Sequence, residues 1–120
     1  MTTSGADRAR ALETSEVYFE SGDFARDLDR LVGARTNSQD ADAMPVLTAY
    51  LSDLIAPKLR DMGFHTQVLD NPIAEAGPLM LAERHEDAAY PTILIYGHGD
   101  VVPGQDELWR PGLAPWTTAL

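Results

Sequence analysis

Pro91-Thr92-Ile93-Leu94-Ile95-Tyr96-Gly97-His98-Gly99-Asp100-Val101-Val102-Pro103 is the stretch on which the reading of this chain turns. Thr92 to Tyr96 shows no polar alternation. A short run of this kind, bounded by Pro and Gly, reads as a strand covered on both faces, as at the centre of an α/β sheet. Helices followed by such a strand argue for α/β layering and against a bundle or a sandwich. His98 falls just past the strand's carboxyl end, where open α/β sheets place their ligands. Gly97 and Gly99 remove side chains on either side of it, so an ion or substrate can approach the backbone closely. Asp100 is two residues on, and in an extended chain its carboxylate projects to the same side as the imidazole. There it can accept a hydrogen bond from the ring nitrogen that a metal does not use, fixing the tautomer. Spacing alone leaves a second reading open, a His-Gly-Asp turn whose side chains bond the local backbone.

Upstream of this run, punctuation predicts three helices. Ser4 or Asp7 can cap the first, which runs to about Ser21 before Gly22 supplies a left-handed stop. Asp23 is expected to cap the second, with Phe24, Leu28, Leu31 and Val32 on one face ahead of Gly33. Arg35-Thr36-Asn37-Ser38-Gln39-Asp40 reads as a loop, because its short polar side chains compete for backbone hydrogen bonds. Asp42 can cap the third helix, whose stripe of Leu47, Leu51, Leu54, Ile55, Leu59 and Met62 ends at Gly63. Pro57 interrupts it, and the collision of its ring with the carbonyl of Asp53 predicts a kink or short break. After Gly63 the period changes to 2. Phe64, Thr66 and Val68 alternate with His65, Gln67 and Leu69, which predicts a strand with one better-buried side. Asp70-Asn71-Pro72 opens a loop that Gly77-Pro78 closes, and a second strand, Leu79 to about Glu83, is expected as its antiparallel neighbour. The tail from Pro103 onward holds Pro111, Pro115, Trp109 and Trp116 and shows no period long enough to close a fold.

The 120 residues are 44% apolar, enough for one core, and two independent domains are not expected. A net charge of −10 repels a phosphate backbone and an anionic membrane face, so nucleic acid and lipid are excluded as default partners. Arg84 and Arg110 are the only basic residues after Arg60, so the half that carries His98 is the more acidic one. That excess is compatible with attracting a divalent cation, and equally with a solvated surface. The chain has no cysteine, so any metal must be held by His, Asp or Glu. No secretory h-region and no bilayer-length apolar run is visible, which makes a cytoplasmic location the expectation.

The run from Pro91 to Pro103 resembles the first metal-binding segment of the co-catalytic di-zinc peptidase and deacylase family. That family includes acetylornithine deacetylase, succinyl-diaminopimelate desuccinylase, aminoacylases and glutamate carboxypeptidases. Its pattern is an apolar strand followed by Gly-His-x-Asp-Val-Val-Pro. The other segments agree in order: a helical N-terminus, a loop like Arg35-Thr36-Asn37-Ser38, a helix ending Asp61-Met62-Gly63-Phe64, two strands, and the Trp-bearing stretch from Leu108 to Trp116. The resemblance spans nearly all of the chain after about residue 20, and its one catalytically specific motif is at 98–100. It implies that residues 1–120 are an incomplete N-terminal part of a three-layer α/β/α catalytic domain, without the lid and dimerisation domain. It makes His98 a ligand of one of two zinc ions, with Co2+ or Mn2+ as alternatives, and places Asp100 in the catalytic set as the acid that clamps the imidazole. The bridging Asp, the Glu that acts as general base, two further ligands and the lid would lie beyond Leu120. The implied whole is an amidohydrolase, carboxypeptidase or dipeptidase whose small-molecule substrates are N-acyl amino acids or peptides, and which admits a homodimer. A catalytic zinc normally takes three protein ligands, so the 120 residues alone are expected to be inactive and to bind zinc weakly.

Two further functional readings stand beside this one. Ile93 to Gly99 also resembles the strand and His-Gly loop that supply an oxyanion-hole amide in α/β-hydrolase serine esterases. Against it, the chain has no Gly-x-Ser-x-Gly, and that loop does not call for Asp-Val-Val-Pro. The other reading is a non-catalytic module that pairs an open sheet edge with a partner. Of the remaining candidates, His65 is expected on the exposed side of its strand and His85 in a turn beside Glu86 and Asp87. Trp109 and Trp116 are expected to pack the Pro-rich tail onto the domain.

Overall fold

The computed structural model describes residues 5–73 and 75–119, and the cap proposed at Ser4 lies outside them. Helices α1 (Gly5–Glu20) and α2 (Asp23–Gly33) come first. Between them Gly22 adopts φ +80°, the left-handed conformation in which a Cβ would be strained. Gly22, not Asp23, occupies the capping position of α2. Asp23 is already in the first turn, and its carboxylate is taken by the Ser21 hydroxyl at 2.8 Å and by the Arg26 guanidinium. Those partners, the Ser21 hydroxyl foremost, hold its carboxyl below the ordinary aspartate value. The two helices meet through Tyr18, Phe19 and Phe24, whose rings lie 6.0 and 5.8 Å apart across the turn.

The third helical region is broken, as Pro57 predicts. It consists of α3 (Ala43–Ala49), a π-helical stretch Tyr50–Ile55, and α4 (Ala56–Asp61) with Pro57 in its first turn. The wider winding of a π-turn carries the backbone off the carbonyl that the proline ring would otherwise strike. Asp42 stands at the capping position of α3 but makes no side-chain cap bond. Ala43, Leu47 and Ala56 on this broken rod are the buried apolar residues, so the core sits along it. Lys58 on α4 joins the rod to the first two helices by pairing with Asp27, whose other partner is the Tyr18 hydroxyl.

Gly63, at φ +85°, turns the chain out of α4 into an antiparallel hairpin of β1 (His65–Leu69) and β2 (Leu79–Glu83). The register pairs His65 with Glu83 and Leu69 with Leu79. Thr66 is buried and Phe64 and Val68 half-buried, while His65, Gln67 and Leu69 are exposed, which is the alternation read from the sequence. Arg60 donates from Nε to Thr66 Oγ1 at 2.8 Å, fixing the inner face on α4. The connecting loop is held by Asn71, which accepts from the Ile73 amide at 2.9 Å and donates to the Gly77 carbonyl at 3.0 Å.

The strand expected at Thr92–Tyr96 is not formed. Ile93, Leu94, Ile95 and Tyr96 are 79–92% exposed, with neither sheet neighbour nor helix over them among the described residues. The reading of a covered strand is corrected for a physical reason: an apolar run states how much cover it needs but not which element supplies it. The α4 rod packs on β1, and β1 pairs with β2. The result is a mixed α/β arrangement of helices and one two-stranded antiparallel sheet. Its radius of gyration is 17.7 Å, against about 14 Å for a close-packed domain of this length. No helix among the described residues is long and apolar enough to cross a membrane.

Candidate metal-ligand segment

His98 is carried by a loop that the sheet does not hold. Its anchor is the polar loop after α2, where Arg35 takes φ +52° and turns the chain back. Thr36 and Asn37 are buried there in spite of being polar, because their groups are bonded. Thr36 Oγ1 donates to the Gly99 carbonyl at 2.6 Å, the Val101 amide donates to the Thr36 carbonyl at 2.9 Å, and the Ser38 amide donates to the Val101 carbonyl at 3.2 Å. Asn37 and Val101 thereby form a parallel bridge on the far side of the motif. Asn37 stiffens the loop from inside by donating to Asp40 at 2.7 Å.

Tyr50, at the start of the π-helical stretch, closes the anchor from the other side. Its ring lies so near Gly99 that a Cβ there would fall 3.0 Å from the hydroxyl and nearer still to ring carbons. Burial pushes the Tyr50 hydroxyl's pKa up. The two glycines flanking His98 thus differ: Gly99 admits the Tyr50 ring, and Gly97 alone borders open space.

The His98 ring nitrogen Nδ1 lies 3.2 Å from Asp100 Oδ1 and 3.2 Å from the Asp100 carbonyl oxygen. The Asp100 carbonyl oxygen only accepts, so in that hydrogen bond Nδ1 is the donor, the tautomer that the contact calls for. In the neutral imidazole Nε2 then keeps its lone pair, which is the atom and state a metal takes. The separation is longer than the 2.7–2.9 Å of a tight charge-assisted bond. Of the two alternatives in the sequence, the local backbone turn is the one made as a hydrogen bond, to the Asp100 carbonyl, with the carboxylate 3.2 Å from the same nitrogen. The imidazole is exposed at 68% and the Asp100 side chain at 48%.

Among the described residues no cluster of three or more His, Asp or Glu side chains could hold a metal ion. His65 is on the exposed face of β1, and His85 Nε2 lies 3.6 Å from Glu83 at the end of β2. One imidazole and its clamp do not amount to a zinc-holding set. Beyond the motif the tail folds back toward α2. Trp109 donates from Nε1 to the Gly104 carbonyl at 2.7 Å, and Gly104 is pressed against Pro115 and Trp116. Trp116 lies under the Arg35 guanidinium, 5.9 Å from the ring centroid. Thr118 donates from its amide and hydroxyl to Asp29 at 3.2 and 2.8 Å, which lowers the Asp29 carboxyl's pKa. Both tryptophans therefore pack the tail, and beside them Val102, Leu108, Trp109 and Leu113 line an open hollow of about 470 Å³.

Sequence reasoning missed Thr36 and Tyr50. Thr36 acts on a residue 63 positions away, for which local pattern holds no signal. Tyr50 is three residues after Leu47, at helical spacing, and could have been added to that stripe. The chain matches no protein-family model, no curated protein and no solved structure.

Proposed function

We propose that this chain is the N-terminal part of a zinc-dependent amidohydrolase or peptidase acting on N-acyl amino acids or dipeptides, and that alone it is inactive. In this reading Thr92–Tyr96 is an inner strand of a three-layer α/β/α domain, and His98 is one ligand in a two-zinc site. The observation that supports it is local: His98 Nδ1 is hydrogen-bonded to the Asp100 carbonyl with the Asp100 carboxylate 3.2 Å away, an arrangement that leaves Nε2 to an ion. The residues of the chain do not by themselves fit a held zinc, since no second or third ligand approaches His98 among those described. Catalysis therefore belongs to a larger assembly of groups, and the part of these 120 residues is to present one oriented imidazole.

A Zn2+ titration of the 15N-labelled chain tests the reading. The account expects weak binding, far from stoichiometric at submicromolar Zn2+ because one His falls short of the three protein ligands a catalytic zinc takes, seen first at His98 Nε2 and lost in His98→Ala. Stoichiometric binding at submicromolar Zn2+ would contradict the inactive-alone reading. Filling of His85 before His98 would contradict the placement of the ligand. A second reading, a folded module that acts through a sheet edge, is favoured by the exposure of Ile93 to Tyr96.

A further inference from the structure

Thr36 is buried, and it bonds the His98 loop twice. Its hydroxyl donates to the Gly99 carbonyl at 2.6 Å, and its own carbonyl accepts from the Val101 amide at 2.9 Å. The first bond holds the peptide group before Asp100, and the second holds the peptide group after it. A residue has only two soft backbone angles, and each of them turns one of its two flanking peptide groups. With both groups tied to Thr36, the Asp100 backbone is fixed at both angles.

His98 uses the second of these peptide groups. The Asp100 carbonyl, 3.2 Å from Nδ1, belongs to the same group as the Val101 amide. That group is trans, so its N–H and C=O point to opposite sides of the backbone. Holding the N–H on Thr36 therefore turns the carbonyl away from Thr36 and toward the imidazole. Hydrogen bonds in such a series polarise one another, which makes this carbonyl a better acceptor. The ring itself is exposed at 68%, so packing does little to orient it. Its two nearby acceptors, the Asp100 carbonyl and carboxylate, both move with the Asp100 backbone.

Attachment of the loop alone does not call for the Thr36 hydroxyl. The Ser38 amide already ties it to the Val101 carbonyl at 3.2 Å, and Asn37 ties it internally to Asp40 at 2.7 Å. What the hydroxyl adds is a hold on the Gly99 carbonyl, while the Tyr50 ring presses on Gly99 as well. We infer that Thr36 is a positioning residue for His98: through the two peptide groups that flank Asp100 it sets the Asp100 carbonyl against Nδ1 and keeps the ring proton there. What this orientation serves rests on the reading of His98 as a ligand, and the orientation itself does not.

Ring-nitrogen shifts of the 15N-histidine-labelled chain, at about pH 8.5 and so above the ordinary histidine range, measure the ratio of the two neutral tautomers. Thr36→Val keeps the branched shape of the side chain and removes only the donor. It is expected to lower the ratio of Nδ1-protonated to Nε2-protonated His98 about two- to tenfold, the span of one hydrogen bond's worth. Thr36→Ser keeps the hydroxyl and is expected to restore the ratio. Asn37→Ala loosens the same loop at Asp40 without touching the groups around Asp100, and is expected to leave the ratio unchanged. His65 and His85, which lie outside this loop, are expected to keep their shifts in every variant. An unchanged ratio in Thr36→Val, a failure of Thr36→Ser to restore it, or an equal fall in Asn37→Ala would overturn the inference. Adding Zn2+ to the unaltered chain separates the two readings. If Thr36→Val lowers the ratio and Zn2+ shows no preference for His98, the positioning role stands and the ligand reading fails.

Discussion

His65–Leu69 and Thr92–Tyr96 are five-residue runs of similar length, each flanked by turn residues, and they end up in opposite states. The first is a strand with a buried inner face; the second is bare on every side. The first alternates, so it needs cover on one face only, and the chain supplies that locally. The α4 rod immediately precedes it, and the nine-residue connection 70–78, held by Asn71, brings its partner strand back. The second does not alternate, so it needs cover on two faces, and nothing adjacent in the chain supplies either. Composition makes a strand possible, and nearby partners with low closure entropy make it form.

The largest expected effect comes from exchanging the fates of the two regions. Leu47→Ala removes a buried side chain of the core rod and is expected to cost about 2–3 kcal/mol, read by urea denaturation followed by circular dichroism. Leu94→Ala, of the same chemistry on the bare run, is expected to stay within about 0.5 kcal/mol. Equal losses would mean that the run is packed in solution.

Next is Gly99→Ala, which drives a Cβ into the Tyr50 ring at an expected cost of about 1–3 kcal/mol. The loss should be confined to the motif loop: faster amide exchange at Val101, with helix content unchanged. Pairing it with Tyr50→Ala should recover most of the loss, and failure to recover would remove the ring as cause.

Thr36→Val deletes the bond to the Gly99 carbonyl and is expected to loosen the same anchor by about 1 kcal/mol. It should speed exchange at Val101 and leave β1 and β2 protected. The smallest effect is at the tail. The Thr118 hydroxyl and amide depress the Asp29 pKa, so this contact is fully present above the ordinary aspartate range, near about pH 4. It is lost as the pH falls through the lower folded value. Trp116 fluorescence should report release of the tail only below that range, and Asp29→Asn should shift the signal toward the released state at neutral pH.

Much of the folded region is legible in the sequence because its determinants are local. Gly22 takes the left-handed turn assigned to it, Gly63 ends the third helical region as expected, Pro57 breaks its helix, and the strand after Gly63 shows its faces by alternation. The cap assigned to Asp23 went to Gly22, because the acceptor has to precede the first turn. The failure at 92–96 is of another kind. An apolar run looks the same whether its cover is three residues away or in another molecule, and the same limit hid the Thr36 and Tyr50 contacts to the motif. His98 and Asp100 could be named together because two residues of spacing is local information.

The proposed function rests on Asp100 orienting His98 so that one ring nitrogen is left for an ion. Nitrogen chemical shifts of the His98 ring, measured near neutral pH on the 15N-labelled chain with Asp100→Asn as the comparison, test it most directly. The account predicts a proton on Nδ1 and a bare Nε2 in the unaltered chain, with that preference reduced when the carboxylate becomes an amide. A proton residing on Nε2 in both, as in an unconstrained histidine, would contradict it.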